Sequence, residues 1–157
     1  MSQIPTLTER VRVLIGDMDD DVNRHRHTDI YLKKVLRVVV EQDAGLQLIG
    51  LGGSVTSTGD AYTEYTITGL TNAGLSLCSL AAAIQIFDSE LRQYIADGGG
   101  IATAIGPNTI DEKTVLRSMS DLLKLSRDDY KKAVGEYKMG TVTVPLRIDL
   151  YATGAVD

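Results

Sequence analysis

One segment in the middle of the chain predicts a long amphipathic helix, and it constrains the fold more than any other segment does. Over residues 76–97, apolar side chains recur every three or four positions for about five turns. This stripe comprises Leu77, Leu80, Ile84, Phe87, Leu91, Tyr94 and Ile95. Three successive alanines at 81–83 allow another helix to approach closely, and the glycines at 98–100 end the helix. Because such a stripe must be buried against other helices, we expect a mainly α fold.

Two shorter helices are predicted before this segment. Thr6 and Glu9 form a capping box, in which two side chains satisfy free N–H groups of the first turn. Gly16 is placed to end that helix. Thr28 is the predicted N-cap of a second helix that runs to about residue 43, and Asp29 suits the positive end of its dipole.

A fourth helix is predicted from about residue 111 to about residue 137. Thr109 and Glu112 form a second capping box at its start. Its apolar stripe comprises Leu116, Met119, Leu123, Tyr130, Val134 and Tyr137. Ser126 lies where the stripe should continue, so a break with Ser126 as a new N-cap is an alternative interpretation.

Residues 46–75 differ from the rest of the chain, since they contain six glycines, six threonines and no lysine or arginine. Two extended pieces are visible, at about 46–56 and 61–70, and Thr58-Gly59-Asp60 between them is a turn signal. We therefore expect a β-hairpin. An isolated two-stranded hairpin is marginally stable, so this one needs a helix face or another protein to lie on.

The last segment alternates strictly between apolar and other side chains, as a strand with one buried face does. Val142, Val144, Leu146, Ile148 and Leu150 point one way, and Thr143, Pro145, Arg147, Asp149 and Tyr151 point the other way. Pro145 favours an edge position because it has no N–H to donate. The strand lacks an obvious partner within the chain, so it either returns to the hairpin or adds to a sheet on another protein.

These segments together predict one domain over residues 1–157. The expected fold is mainly α: a four-helix bundle-like core at about 6–45 and 76–138, with a hairpin inserted at about 46–75 and a C-terminal extended arm at about 139–157. A chain of this length buries a sufficient core without a metal or disulfide. The single cysteine and two histidines cannot build a Cys-rich zinc site.

Charge and hydropathy exclude further classes. The net charge of −5 argues against a protein that grips nucleic acid phosphates over its whole surface. No continuous apolar run approaches the ~18 residues of a membrane span. The N-terminal sequence lacks the basic and apolar regions of a secretory signal.

The sequence evidence for a catalytic or metal site is weak. Asp17, Asp19 and Asp21 have calcium-loop spacing, but Val22 and Thr28 stand where an EF-hand needs Gly and Glu, so we expect a solvated acidic loop. His25 and His27 are spaced as exposed loop residues rather than as ligands on a helix. Cys78 is predicted to be a small core residue. The glycine-rich stretches at 50–54 and 98–101 lack phosphate-loop endings. We expect no catalytic, metal or cofactor site and no enzyme activity.

One stretch of sequence resembles a known family. A short helix ends in Ile15-Gly16-Asp17, an acidic loop follows, and Thr28-Asp29 opens the next helix. This pattern, from Arg10 to Leu36, is similar to the head–tail connector proteins of tailed bacteriophages, also called adaptor or head-completion proteins. The downstream order also fits: an Ala-rich helix, a glycine break and a long amphipathic helix. The chain departs from the family in its insertion at 46–75 and in having His27 where an aromatic residue usually precedes the Thr-Asp opening.

The resemblance implies a structural virion protein rather than an enzyme. Family members form a ring, usually of twelve copies, beneath the portal, and DNA passes through it without sequence-specific binding. The expected partners are other copies of the chain, the portal protein and a stopper or tail-completion protein, with no cofactor and no membrane. The expected location is the virion neck, after synthesis in the host cytoplasm.

Two sets of contact residues follow from this implication. The terminal strand would join the portal through Val142, Val144, Leu146, Arg147, Ile148, Leu150 and Tyr151. The hairpin would meet the next neck component through Tyr62, Glu64, Tyr65 and Ile67. Three alternatives remain open: another neck or tail component such as a stopper or tail terminator, a non-viral helical interaction domain, and a small hydrolase that uses His25 or His27 with a nearby Asp.

Overall fold

The computed structural model describes residues 1–18, 25–43, 46, 54–59, 64–96 and 112–139. Within these ranges the chain forms four helices with defined ends: α1 (Ile4–Ile15), α2 (Asp29–Gln42), α3 (Asn72–Ala96) and α4 (Glu112–Lys138). Two short strands, β1 (Ser54–Ser57) and β2 (Tyr65–Thr68), pair as an antiparallel hairpin between α2 and α3. The fold is mainly α with an inserted hairpin, as the sequence predicts. The predicted C-terminal arm lies outside the described residues.

Helix α3 is the centre of the fold, because α1, α2 and α4 all pack against it. Leu77, Cys78, Ala82, Ala83 and Ile86 have no exposed surface, so the first two-thirds of the helix is covered on nearly every side. The alanines allow this close approach, as expected from their small side chains. The prediction that Cys78 is a core residue is confirmed.

Length and composition alone would also let α3 cross a membrane. An 18-residue window within it has a mean hydropathy of 1.2, and 61% of that window is buried inside the subunit. The three helices packed around α3 account for this burial. A core helix of a globular subunit meets the same two criteria, so the helix is weak evidence for a membrane.

The start of α1 differs from the prediction. The helix begins at Ile4, with Pro5 in its first turn, and Gln3 occupies the N-cap without a side-chain capping bond. The capping box predicted at Thr6 is therefore wrong. Gln3 is held by β2 and the residues after it: its N–H donates to the Ile67 carbonyl at 2.7 Å, and its side chain bonds both backbone groups of Leu70. This tertiary contact, together with the preference of Pro for a first turn, sets the helix start.

The local sequence signals at Thr28 and Asp29 predict the start of α2 correctly. The Thr28 hydroxyl accepts the Tyr31 N–H at 3.3 Å, and Asp29 lies in the first turn. The buried face of α2 consists of Leu32, Val35, Leu36 and Val39. This face packs against α3, so the run of three valines at 38–40 is helical despite its strand propensity.

The hairpin packs onto the helices. Val55 pairs with Ile67 and Ser57 pairs with Tyr65. Tyr65 and Ile67 face inward and are 5% and 0% exposed, while the residues between and after them are partly exposed. The predicted alternation is confirmed for 65–68. Leu46, predicted to begin the first strand, is instead helical and buried at 2% exposure.

Two boundaries in the second half also differ from the prediction. Helix α3 begins at Asn72, four residues early, because the Thr71 hydroxyl accepts the Gly74 N–H at 3.1 Å and caps it. Helix α4 continues through Ser126 without a break. The Ser126 hydroxyl donates to the Leu122 carbonyl at 2.9 Å and is buried, so it is bonded within the helix rather than acting as an N-cap.

Candidate interaction surface

Arg12 lies at the junction of α1 and α2 and bonds several residues of the segment on which the family resemblance rests. Its guanidinium donates to the Asp17 carboxylate at 2.6 Å and to the Asp29 carboxylate at 2.6 Å. It also donates to the His27 carbonyl at 3.0 Å. The side chains of Arg12 and Asp17 are 9% and 5% exposed. This group, the Arg12 cluster, ties the end of α1 to the start of α2.

Gly16 gives the turn after α1 its shape. Its φ of 69° lies in the left-handed region that favours glycine, and the cap N–H groups bond back to carbonyls of α1. The Gly16 prediction is therefore confirmed. The turn aims Asp17 at the far end of the loop, where Asp17 accepts the Arg26 N–H at 2.7 Å and the His27 N–H at 3.1 Å.

The surroundings of Asp17 favour the ionised form of its carboxyl group. Burial alone would raise its pKa, but the N–H groups of Arg26 and His27 and the charge of Arg12 outweigh burial and lower that pKa below its ordinary value. The expectation of a solvated carboxylate is wrong at this position. Both oxygens are occupied by protein donors, so Asp17 is not presented to a cation.

A second set of polar contacts ties the same junction to α3. His27 Nε2 lies 2.9 Å from a Glu90 carboxylate oxygen, which also pairs with Arg26 at 3.3 Å. The His27 ring stacks on Tyr31 with centroids 5.0 Å apart. Its side chain is 14% exposed, so the expectation of an exposed loop histidine is wrong. His25 is also partly buried.

The calcium and hydrolase hypotheses gain no support from this geometry. Asp17 and Asp29, the described aspartates on either side of the two histidines in sequence, both bond Arg12, and Asp17 also accepts two backbone N–H groups. Cys78 is enclosed, and burial, with a smaller contribution from Asp43, raises the pKa of its thiol to about 12. Among the described residues no group of three or more His, Cys, Asp or Glu side chains is arranged to hold a metal ion. Asp19 and Asp21 lie outside those residues.

Large apolar side chains are exposed after α1, near the start of α2, near the end of α3 and in the first half and middle of α4. Met18, Ile30, Ile95, Leu122 and Leu125 are 68%, 57%, 51%, 40% and 60% exposed. Leu122 also borders a mainly apolar groove of about 190 Å³. It is lined by Ile15, Arg26, Phe87, Leu91, Met119, Leu122, Leu123 and Ser126. Surfaces of this kind usually contact another protein.

Sequence reasoning missed the exposed part of this surface. Met119 belongs to the predicted stripe of α4, and Ile95 to that of α3, but both lie partly or largely in solvent. Leu122 and Leu125 were outside the predicted stripe. The available signal was the width of the apolar set at 116–125, which exceeds what one neighbouring helix can cover.

Two of the four hairpin residues predicted to contact a neck component are core residues. Tyr65 and Ile67 belong to the main core cluster, so their side chains are not available to a partner, and that part of the prediction is wrong. The Tyr65 hydroxyl donates to the Lys33 carbonyl, and Arg37 stacks over its ring at 5.2 Å. Glu64 is exposed, and its carbonyl accepts the Thr58 N–H at 2.8 Å in the turn.

The remaining predicted contact residues lie outside the described residues. These are Tyr62 on the hairpin and the terminal-strand set Val142, Val144, Leu146, Arg147, Ile148, Leu150 and Tyr151. Their roles stay predictions.

Comparisons of the chain with protein-family models, with curated proteins and with solved structures find no match. The functional argument therefore rests on the residues themselves.

Proposed function

We propose that this chain is a structural subunit of a bacteriophage head–tail connector, assembling with other copies into a ring between the portal and the neck or tail. The observation that carries the proposal is the Arg12 cluster. The motif residues Gly16-Asp17 and Thr28-Asp29 are about a dozen positions apart in sequence, yet Asp17 and Asp29 converge on one guanidinium. Such convergence supports reading the short motif as one structural unit rather than as a chance match.

The exposed apolar side chains support an assembly function. A subunit that is complete on its own rarely leaves several large apolar side chains in solvent around an apolar groove. In a ring, each subunit has two neighbours that can cover such surfaces. The net charge of −5 is compatible with DNA passing by without being held.

The fold favours the connector over the neighbouring alternatives. Stoppers and tail terminators are usually richer in strand, whereas the two described strands here have four residues each. The hydrolase alternative has least support, since His27 is stacked on Tyr31 and bonded to Glu90. A non-viral helical interaction domain would share the exposed apolar side chains, so only an assembly experiment separates it from the connector.

Negative-stain imaging of the purified chain, alone and mixed with a portal protein, tests this proposal. We expect closed rings, or a collar on the portal. A chain that stays monomeric in both samples and does not sediment with the portal would contradict the proposed function.

A further inference from the structure

Two surfaces of the subunit carry charged side chains of opposite sign next to exposed apolar side chains. The first, the α2 face, consists of Ile30, Lys33 and Lys34 at the start of α2. The second, the α4 face, consists of Asp121, Leu122, Leu125 and Asp129. One face has two lysines beside an isoleucine, and the other has two aspartates beside two leucines.

Helical spacing brings the residues of each face together. Ile30 is three and four positions before Lys33 and Lys34, so these side chains are neighbours on the surface of α2. Leu125 lies four positions after Asp121 and four before Asp129, which places an acid on each side of it. Ile30 therefore has two lysines one turn after it, and Leu125 has an aspartate one turn before it and another one turn after it.

Apart from Lys33, which is half-buried, the residues of both faces are exposed. Ile30, Leu122 and Leu125 are 57%, 40% and 60% exposed. Within the described ranges, the ion pairs do not include Lys33, Lys34 or either aspartate of the α4 face. Opposite charges beside complementary apolar surface favour one register and disfavour contact between two copies of the same face.

The part of the α4 face around Leu122 also lies at the level of the start of α2. Arg12 bonds Asp29 at the start of α2, and Arg26 and His27 bond Glu90 in α3. The groove then joins α3 to the part of α4 that carries Leu122. A contact between faces at one level adds little rise per subunit, which a closed ring requires and a helical filament does not.

We infer that the α2 face of one subunit docks on the α4 face of the next, as the head-to-tail contact of the ring. This inference rests on the proposed ring function and names the surface and the partner, a second copy of this chain. Ile30 packs against Leu122 and Leu125, while Lys33 and Lys34 meet Asp121 and Asp129. The groove beside Leu122 gives the apolar contact additional depth.

Blocking each face separately and then mixing the variants tests the inference. Ile30→Asp removes the α2 face and Leu125→Asp removes the α4 face, and mass photometry of each variant should show association weakened at least about tenfold. A 1:1 mixture should form dimers and nothing larger, because one intact face remains on each variant and the two intact faces fit each other. If Ile30→Asp assembles like the wild type, the contact does not use the α2 face and the inference is wrong.

A charge exchange separates the contact from a general effect of net charge. Lys33→Glu together with Lys34→Glu should weaken association, and adding Asp121→Lys and Asp129→Lys to the same chain should restore it. Lys131→Glu together with Lys138→Glu is the matched control, because it makes the same charge change on two exposed side chains of α4 outside the face. Equal weakening by the two double variants, or no recovery on exchange, would overturn the charged part of the contact.

Disulfide crosslinking detects the contact even when it is too weak for mass photometry. A chain with Ile30→Cys and Leu125→Cys should give a ladder of oligomers on oxidation, whereas Ile30→Cys with Lys131→Cys should not. The native Cys78 is buried and does not interfere. Absence of a ladder overturns the inference. If rings form unchanged in every variant, the proposed ring function is still supported, but the assignment of the contact to these two faces is wrong.

Discussion

Asp17 shows how one residue can decide the geometry of a helix junction. The left-handed turn at Gly16 directs the Asp17 carboxylate towards the backbone N–H groups of Arg26 and His27, and Arg12 neutralises its charge. A carboxylate with several donors is strongly stabilised in its ionised form. The motif that carries the family resemblance therefore has a structural role in this chain, and Arg12 and Asp17 at its centre are buried.

Replacing Asp17 with Asn should destabilise the fold by about 2 kcal/mol at pH 7, since hydrogen bonds to a charged group are lost. Urea unfolding followed by circular dichroism measures this. The control is Asp29→Asn, which removes the other carboxylate on Arg12 but at a side chain that is 61% exposed, so we expect a loss below about 1 kcal/mol. Equal losses in the two variants would contradict a special role for Asp17.

The same variant predicts a pH dependence. The pKa of Asp17 is lowered in the folded chain, so its contribution is fully present above the unfolded value of about 3.9 and is lost as pH falls through the folded pKa. The difference in unfolding free energy between wild type and Asp17→Asn should be constant between about pH 5 and pH 7 and should shrink below about pH 4. A difference that grows on acidification would show the opposite shift.

Among the elements, the hairpin differs most from its expected role. The alternation at 65–68 correctly predicts a strand, but the partner of its inward face is the helical core of the same chain. A buried partner within the chain and a partner in another protein produce the same alternating pattern, so the sequence cannot separate them. The hydrogen bonds from Gln3 and from the Tyr65 hydroxyl show that the hairpin is fastened to α1 and α2.

Replacing Ile67 with Ala should therefore destabilise the subunit by about 2–5 kcal/mol, because a fully buried side chain is truncated. Thr66→Ala, on the opposite side of the same strand, should cost less than about 1 kcal/mol. Thermal unfolding of both variants measures the difference. Similar losses would indicate that the hairpin is a loosely attached arm.

Helix caps divide into those that sequence predicts and those that it does not. Gly16 and Thr28 act within their own turns, so their patterns are sufficient. The start of α1 depends on Gln3 bonding to Leu70, 67 positions away, which local reasoning cannot see. The start of α3 differs from the prediction although Thr71 is a normal N-cap. Gly74 in the first turn has a low helix propensity, so the sequence pattern indicates a later start.

At the scale of the whole molecule, the helical stripes predict the mainly α architecture well, since every helix must bury its apolar face. The same stripes do not predict the candidate surface. Leu122 and Leu125 extend the apolar face of α4 beyond what α3 covers, and a sequence pattern does not say whether the remainder meets the same chain or another one. The sequence does not predict the Arg12 cluster either, because Asp17 and Asp29 are distant in sequence and come together only in the folded chain.

Removal of residues 141–157 should leave a folded subunit, since the core cluster of the described residues runs from α1 to α4. Under the proposed function, the shortened chain should no longer sediment with the portal. Circular dichroism and portal co-sedimentation measure the two properties separately. If the shortened chain unfolds, the terminal strand belongs to the core and its proposed portal role fails.

The fastening of Asp17 to Arg26 and His27 has a practical consequence for protein engineering. Because Asp17 is bonded to Arg26, to His27 and to Arg12, a change in the number of residues between positions 18 and 25 need not be transmitted to the helices. The entropy of closing a loop rises only slowly with its length, by about 0.6 kcal/mol per doubling. The sequence between positions 18 and 25 is thus suited to grafting an epitope or a fluorophore tag.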